Sequence, residues 1–350
     1  MQHARMAALI ALTITIGSAG SAVFYLLGFP APWLTGSVMA ASIAVLGGVK
    51  LIMPSIVRQI TFLVLGVSIG SGVDAQILSG IAKWPASIAV LCVAVVITIV
   101  ASTAYLSSRS GWDRSTAFFS SLPGALSYVI AISMQSNANT PLVVLAQMLR
   151  VVTLLLVLPL IISSYAPAPA SVATVEHSGI LQELAIFAAG AAVGFLLERA
   201  NFPAGMLFGG MLASAALHVS SLVEGQVHSE ILIPSQIMLG CLMGLRFSGT
   251  NPRLLWRALG PSTGAFVIAL AISTASAGLV SWLFALPLNQ LLLAFAPGAL
   301  EMMIILAFVL GLDPAFVAVH HLIRFIGIAL TLPLLVRLFL PRDQANEEKD

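Results

Sequence analysis

"SLPGALSYV" occupies Ser121–Val129 and "FAPGALEMM" occupies Phe295–Met303. Pro-Gly-Ala-Leu therefore occurs twice, 174 residues apart, each time within a long apolar stretch. Proline removes a backbone donor and clashes with the preceding turn. Glycine lets the chain change direction. Inside hydrocarbon, freed backbone groups are tolerated only where protein or a wet cavity covers them. How these two stretches are accommodated decides the fold.

The surroundings are those of a membrane protein. Of 350 residues, 59% are hydrophobic and 8% charged, and mean hydropathy is +1.05. A soluble domain carries about 25% charge. Long apolar runs between short polar breaks predict an all-α polytopic membrane protein with the lipid bilayer as its solvent. A formal charge of +2, with no basic domain, argues against a nucleic-acid partner. Cys92 and Cys241 lie in separate apolar runs and read as small hydrophobes. Met6–Leu27, preceded by Arg5, has the look of a signal peptide. Ile180–Leu197 holds the matching place in the second half, so Met6–Leu27 is expected to be a retained helix.

The chain reads as two copies of one unit. "GFPAPWLTGSVMA" (Gly28–Ala40) returns as "NFPAGMLFGGMLA" (Asn201–Ala213), with an offset of 173. "LGVSIG" (Leu65–Gly70) returns as "LGCLMG" (Leu239–Gly244), and "LRVVTLLLVLPL" (Leu149–Leu160) as "IRFIGIALTLPL" (Ile323–Leu334), both at 174. The expected organisation is a first repeat over 1–163, a Pro/Ala/Ser-rich linker over 164–179, a second repeat over 180–340 and a polar tail over 341–350. Each repeat holds six apolar segments: 6–27, 31–49, 56–73, 84–106, 115–134 and 141–163, then 180–198, 203–222, 233–248, 262–285, 288–310 and 315–336.

Positive charge decides how many of them cross. With six crossings per repeat, Lys and Arg outside the apolar segments divide eight to five. With five, Arg5, Lys50, Arg58, Arg109, Arg114, Arg199, Arg246, Arg253, Arg257, Arg337, Arg342 and Lys349 share one side, and only Lys83 faces the other. The expectation is two inverted repeats of about five transmembrane helices, each with a re-entrant or broken helix at its Pro-Gly segment. Both termini would be cytoplasmic and the linker periplasmic. A break in corresponding places of two inverted halves is the sequence mark of a transport site.

The candidate site residues gather around those breaks. Arg150 and Arg324 are repeat equivalents, nine residues into their segments, roughly 14 Å deep at 1.5 Å per residue. An arginine there needs protein or water around it and a partner. Gln147 and His321 share their faces at an i, i+3 spacing. One role for the guanidiniums is to bind an anionic solute; the other is to hold carbonyls freed by the breaks. Ser120, Ser121, Gly124 and Gly298 join this set, the serines with the amides after Pro123 as an anion-friendly helix start. Glu301 is a candidate for ion coupling by a proton or Na⁺, or a salt-bridge partner of Arg150 or Arg324. Asp313, which aligns with Asn139, is a helix cap or an ion ligand. The Gly-containing "FPAPWLTG" and "FPAGMLFG" starts read as close helix packing. The histidines form no HxxxH or carboxylate cluster, so neither metal nor cofactor is expected. Walker, GxGxxG and GxSxG motifs are missing, which disfavours ATP-driven transport and hydrolysis.

The paired "FPAPWLTG"/"FPAGMLFG", "LGVSIG"/"LGCLMG" and "PGAL…R…LP" blocks resemble the membrane AbrB-duplication family of bacteria over nearly the whole chain. That family's break motif reads Pro-Gly-Gly-Leu followed by Glu-Met. Here Ala125 and Ala299 replace the second Gly, Tyr128 and Met302 stand where Glu is expected, and Glu301 comes one place early. Members carry the labels ammonia monooxygenase and AbrB family transcriptional regulator. The resemblance thus implies a bacterial inner-membrane protein, with three functional readings. A permease for a small anionic organic solute, not an enzyme and with a second copy of the chain admitted as partner, suits the residues best. A role in regulation of gene expression and a membrane monooxygenase are the alternatives. Single cysteines placed at Glu176 and at Arg257 are expected to react with an impermeant reagent from opposite faces of the membrane; labelling from one face would refute the inversion.

Overall fold

The computed structural model describes residues 2–72, 84–124, 126–164 and 178–339. Lys83, Ala125, most of the linker with Glu176, and the 341–350 tail lie outside the described residues. Within them the chain forms fourteen α-helices and no β-strand. The first half contains α1 (Gln2–Leu26), α2 (Pro32–Leu46), α3 (Ser55–Gly70), α4 (Trp84–Ser108), α5 (Arg114–Ser121), α6 (Leu126–Ser133) and α7 (Thr140–Ser163). The second contains α8 (Ile180–Arg199), α9 (Gly205–Val219), α10 (Ser229–Gly244), α11 (Pro252–Phe284), α12 (Leu288–Phe295), α13 (Leu300–Val309) and α14 (Pro314–Phe339). The twelve apolar segments are all helical, and the two Pro-Gly segments are each split into two short helices.

Seven of these helices (α1, α4, α7, α8, α10 with the 3₁₀ turn that carries it to Phe247, α11 and α14) are long and apolar enough to cross a membrane. The protein is an all-α, multi-pass membrane protein. Helices α2, α3 and α9 run 15 or 16 residues. At 1.5 Å per residue that is about 22–24 Å, short of a hydrocarbon core of about 30 Å.

Two compact units partition the helices, and each draws on both halves of the sequence. One combines Met1–Pro85, Val152–Pro252 and Glu301–Val317; the other combines Ala86–Val151, Arg253–Leu300 and Ala318–Asp350.

In the first unit, helices touch backbone to backbone. A Cβ on Gly66 of α3 would run into the carbonyl of Leu207 on α9. A Cβ on Gly240 of α10 would run into Ser37 and lie 2.7 Å from the Leu34 oxygen on α2. Leu34 and Leu207 hold the same place in the two copies, as do Gly66 and Gly240. Each copy's third helix therefore packs on the other copy's second. Gly20 and Gly36 (α1 on α2) and Gly194 and Gly209 (α8 on α9) repeat the theme within each copy. Hydrocarbon gives no hydrophobic drive for helices to associate, so close van der Waals approach through small residues supplies it.

The "FPA" starts carry a second repeated feature. Gly28 and Asn201 have φ of 67° and 55°, and Ala31 and Ala204 have 53° and 52°. The two alanines sit at the N-cap of α2 and α9 in a left-handed conformation that costs a non-glycine residue about 1 kcal/mol.

In the second unit, Phe118, Phe119 and Leu122 pack with Val129, Val143, Ile328 and Leu332 in a buried cluster. This cluster seats the first break against α7 and α14.

The packing of the first unit sets an expected outcome. Gly66→Val and Gly240→Val should each lower the melting temperature in detergent, by the overpacking cost of about 1–3 kcal/mol or more. Gly260→Ala and Gly278→Ala on α11, where a Cβ meets nothing within 4 Å, should leave it unchanged or raise it.

Candidate functional site

Helix α5 ends at Ser121 and α6 begins at Leu126; α12 ends at Phe295 and α13 begins at Leu300. The Pro-Gly positions occupy the gaps. Gly124 has φ 82°, a left-handed conformation open to glycine, whereas Gly298 turns without positive φ. The two gaps lie side by side: a Cβ on Gly124 would be 3.8 Å from the Gly298 oxygen.

A helix that stops leaves its last carbonyls without intrahelical donors. In this unit those carbonyls are buried, and α7 and α14 supply the donors. Arg150 gives Nη2–H to the Leu122 oxygen (3.0 Å) and Nη1–H, more weakly, to the Ser120 oxygen (3.5 Å). One turn earlier, Gln147 Nε2 donates to the Phe119 oxygen at 3.0 Å. In the second copy, Arg324 donates to the oxygens of Ala296 (2.6 Å) and Gly298 (2.7 Å). His321 Nε2 donates to the Leu293 oxygen at 2.9 Å. Phe119 and Leu293, and Leu122 and Ala296, are repeat equivalents. One clamp is thus built twice, by an i, i+3 pair reaching back to the end of the preceding short helix.

The second clamp is tighter. Arg324 Nη2 also lies 2.8 Å from His321 Nδ1. A guanidinium only donates, so Nδ1 accepts and the His321 proton sits on Nε2, where the Leu293 bond needs it. His320, its neighbour, instead pairs through Nε2 with Ser87 Oγ at 2.7 Å. Of the two roles open to the arginines, holding freed carbonyls is the one their hydrogen bonds display.

The remaining candidates separate. Glu301 lies in the first turn of α13, with Oε1 3.6 Å from Arg246 Nη2. Its ion-pair partner is therefore Arg246, not Arg150 or Arg324. Sequence adjacency hid this, because Arg246 follows α10 in a short 3₁₀ turn, Leu245–Phe247. Asp313 Oδ1 accepts from the amides of Ala315 (2.9 Å) and Phe316 (3.2 Å), capping α14. Asn139 Oδ1 caps α7 through the Leu142 amide at 3.2 Å. Ser121 Oγ bonds to the Ala117 oxygen of its own helix at 2.8 Å. Ser120 and Ser121 are the last residues of α5, at a helix C-terminus and not at the start expected for them.

Two small cavities flank the arginines. One, of about 20 Å³, is lined by Ser102, Ser120, Ser121, Arg150, Ser262 and Phe266. The other, of about 10 Å³, is lined by Pro123, Pro297, Phe295, Thr98, Ser273 and Arg324. They are repeat counterparts, with Ser121 in one answering to Phe295 in the other. Each has room for about one water. Ser262, beside Pro261 in α11, carried no signal beyond being a polar residue in an apolar run. Among the described residues, no three of His, Cys, Asp and Glu converge as metal ligands.

Removing a clamp strands buried carbonyls, at about 1–3 kcal/mol each. Arg324→Gln is expected to lower the melting temperature and yield of purified protein more than Arg150→Gln, because the Arg324 bonds are shorter and include His321. Equal loss from both would show that the clamps do not differ in strength.

The family model described as "Transition state regulatory protein AbrB" matches residues 33–340. The "Uncharacterized protein YhjN" of Bacillus subtilis (strain 168) is 28% identical over 356 residues, covering 93% of this chain and 91% of that protein. No solved structure matches the chain. The family match runs through both breaks and both clamping arginines, and so the chain belongs to the AbrB family.

Proposed function

We propose that the protein is a secondary transporter, and not an enzyme, for a small anionic organic solute, with the two Pro-Gly breaks as the heart of its site. One observation carries the reading: two helices, in corresponding places of a duplicated chain, are broken side by side in one unit, each braced by a buried arginine. Interrupted helices of this kind line solute and ion sites in transporters built from inverted repeats. The inverted arrangement, with re-entrant or broken segments, a periplasmic linker and cytoplasmic termini in the bacterial inner membrane, belongs to the same proposal and is supported by the charge distribution. Neither cavity admits an organic solute whole, so entry requires the broken helices to part. Glu301, paired with Arg246 at 3.6 Å and partly exposed, is the carboxylate to which we assign a coupling ion. The family description favours a second reading, a membrane component that influences gene expression, and transcript changes that persist without transport would support it.

The test begins with melting curves of purified protein against a panel of carboxylates, amino acids and amines, since a ligand that binds only the folded state raises the melting temperature. Solutes that do so are then offered to proteoliposomes under an imposed proton or Na⁺ gradient. Gradient-driven uptake of at least one carboxylate is expected, with Glu301→Gln removing the gradient dependence while the melting shift persists. Failure of every stabilising solute to enter would rule transport out.

A further inference from the structure

The two arginine cavities are repeat counterparts, yet their polar balance differs. Both terminal nitrogens of Arg324 have protein acceptors. Around Arg150 three polar atoms are left over: Arg150 Nε, Ser120 Oγ and Ser262 Oγ are all buried without a hydrogen-bond partner among the described residues. Arg150, Ser120 and Ser262 are 8%, 6% and 7% exposed, and all three line the cavity of about 20 Å³. The other two serines there are committed, Ser121 Oγ to the Ala117 oxygen and Ser102 Oγ, at 3.5 Å, to that of Ala265. The second copy cannot repeat this arrangement, since Ala294 and Phe295 replace Ser120 and Ser121.

Three orphaned polar atoms on residues that line one small space are a costly coincidence, at about 1–3 kcal/mol each when left unpaired. Their chemistry narrows what completes them. Nε–H is a donor only, and both hydroxyls are free to donate. A water accepts two hydrogen bonds at most and brings no charge. The guanidinium is also unneutralised: among the described residues, no carboxylate lies within ion-pair distance of Arg150. The carbonyl end of α5 opposes an anion with about half a charge, against the full charge of Arg150. An anion accepts all three donors and neutralises a buried cation, which removes much of the burial cost.

We propose that this cavity binds one chloride-sized anionic group, a halide or one oxygen of a small carboxylate, through Arg150 Nε and the hydroxyls of Ser120 and Ser262. The site is asymmetric, present at the first break only. It deepens the transport reading and rests on it for its purpose: the same chemistry suits a free halide or the carboxylate end of the carried solute.

Purified full-length protein is melted at fixed pH and ionic strength in sodium chloride, formate or gluconate, the last too large to enter. A saturable rise in Tm of about 2 °C or more over gluconate is expected for at least one small anion. A response to chloride marks a halide site, and a response to formate alone marks a carboxylate site. Ser120→Ala/Ser262→Ala should abolish the difference; an equal response in that variant would overturn the proposal and leave the cavity to water. Should the double variant fold poorly, bromide soaked into wild-type crystals provides the second measurement. An anomalous bromide peak beside Arg150 Nε, or formate density there in a parallel soak, supports the site, and the absence of both refutes it. Anion-dependent melting without uptake would remove transport and keep the site. Uptake without anion-dependent melting would do the reverse.

Discussion

Carbonyls at the ends of α5 and α12 must find donors away from water, and that requirement organises the second unit. Water would ordinarily serve a helix end, but here Phe118, Phe119 and Leu122 seal the first break against it. The chain answers with guanidinium groups, which reach two carbonyls at once and cannot shed their charge. The answer brings a difficulty of its own, a buried cation with no carboxylate beside it among the described residues. Break, arginine and unneutralised charge follow one from another, and no one of them can be altered alone.

The broad architecture was legible in the sequence because lipid simplifies the grammar. Apolar runs of membrane length announce helices, and the 174-residue offset announces duplication without any knowledge of contacts. The Pro-Gly segments were legible as breaks for a related reason: proline followed by glycine interrupts the backbone ladder of a membrane helix whatever its neighbours are. Contacts across sequence were not legible. Arg246 sits among loop charges, and nothing local ties it to Glu301. Ser262 is one polar residue in a helix containing several. Ala31 and Ala204 conceal their left-handed backbone, because alanine carries no hint of positive φ as glycine or asparagine would. Arg150 and Arg324 were identified by depth and pairing, but their partners are main-chain oxygens, which no sequence displays.

The two copies have drifted apart where chemistry is concentrated and stayed alike where packing is. Gly66 and Gly240, or Gly36 and Gly209, remain because any side chain there would strike a neighbouring backbone. At the breaks, Gln147 has become His321, Ser121 has become Phe295, and Glu301 answers in sequence to Ser127. Steric identity with chemical divergence is what a duplicated frame allows. Packing keeps the paired glycines in step, and substitutions at the breaks give each break its own polar character.

The crossed packing of the first unit bears on how the protein is made. Helices α2 and α3 fit against α10 and α9, which leave the ribosome about 170 residues later; at 5–20 residues per second that is roughly ten to thirty seconds. During this interval the bare glycine faces of the nascent first half must be covered by lipid or by an insertion partner. Maturation therefore waits on the second half, and a message truncated near its midpoint would leave an orphan that membrane quality control could recognise by those grooves.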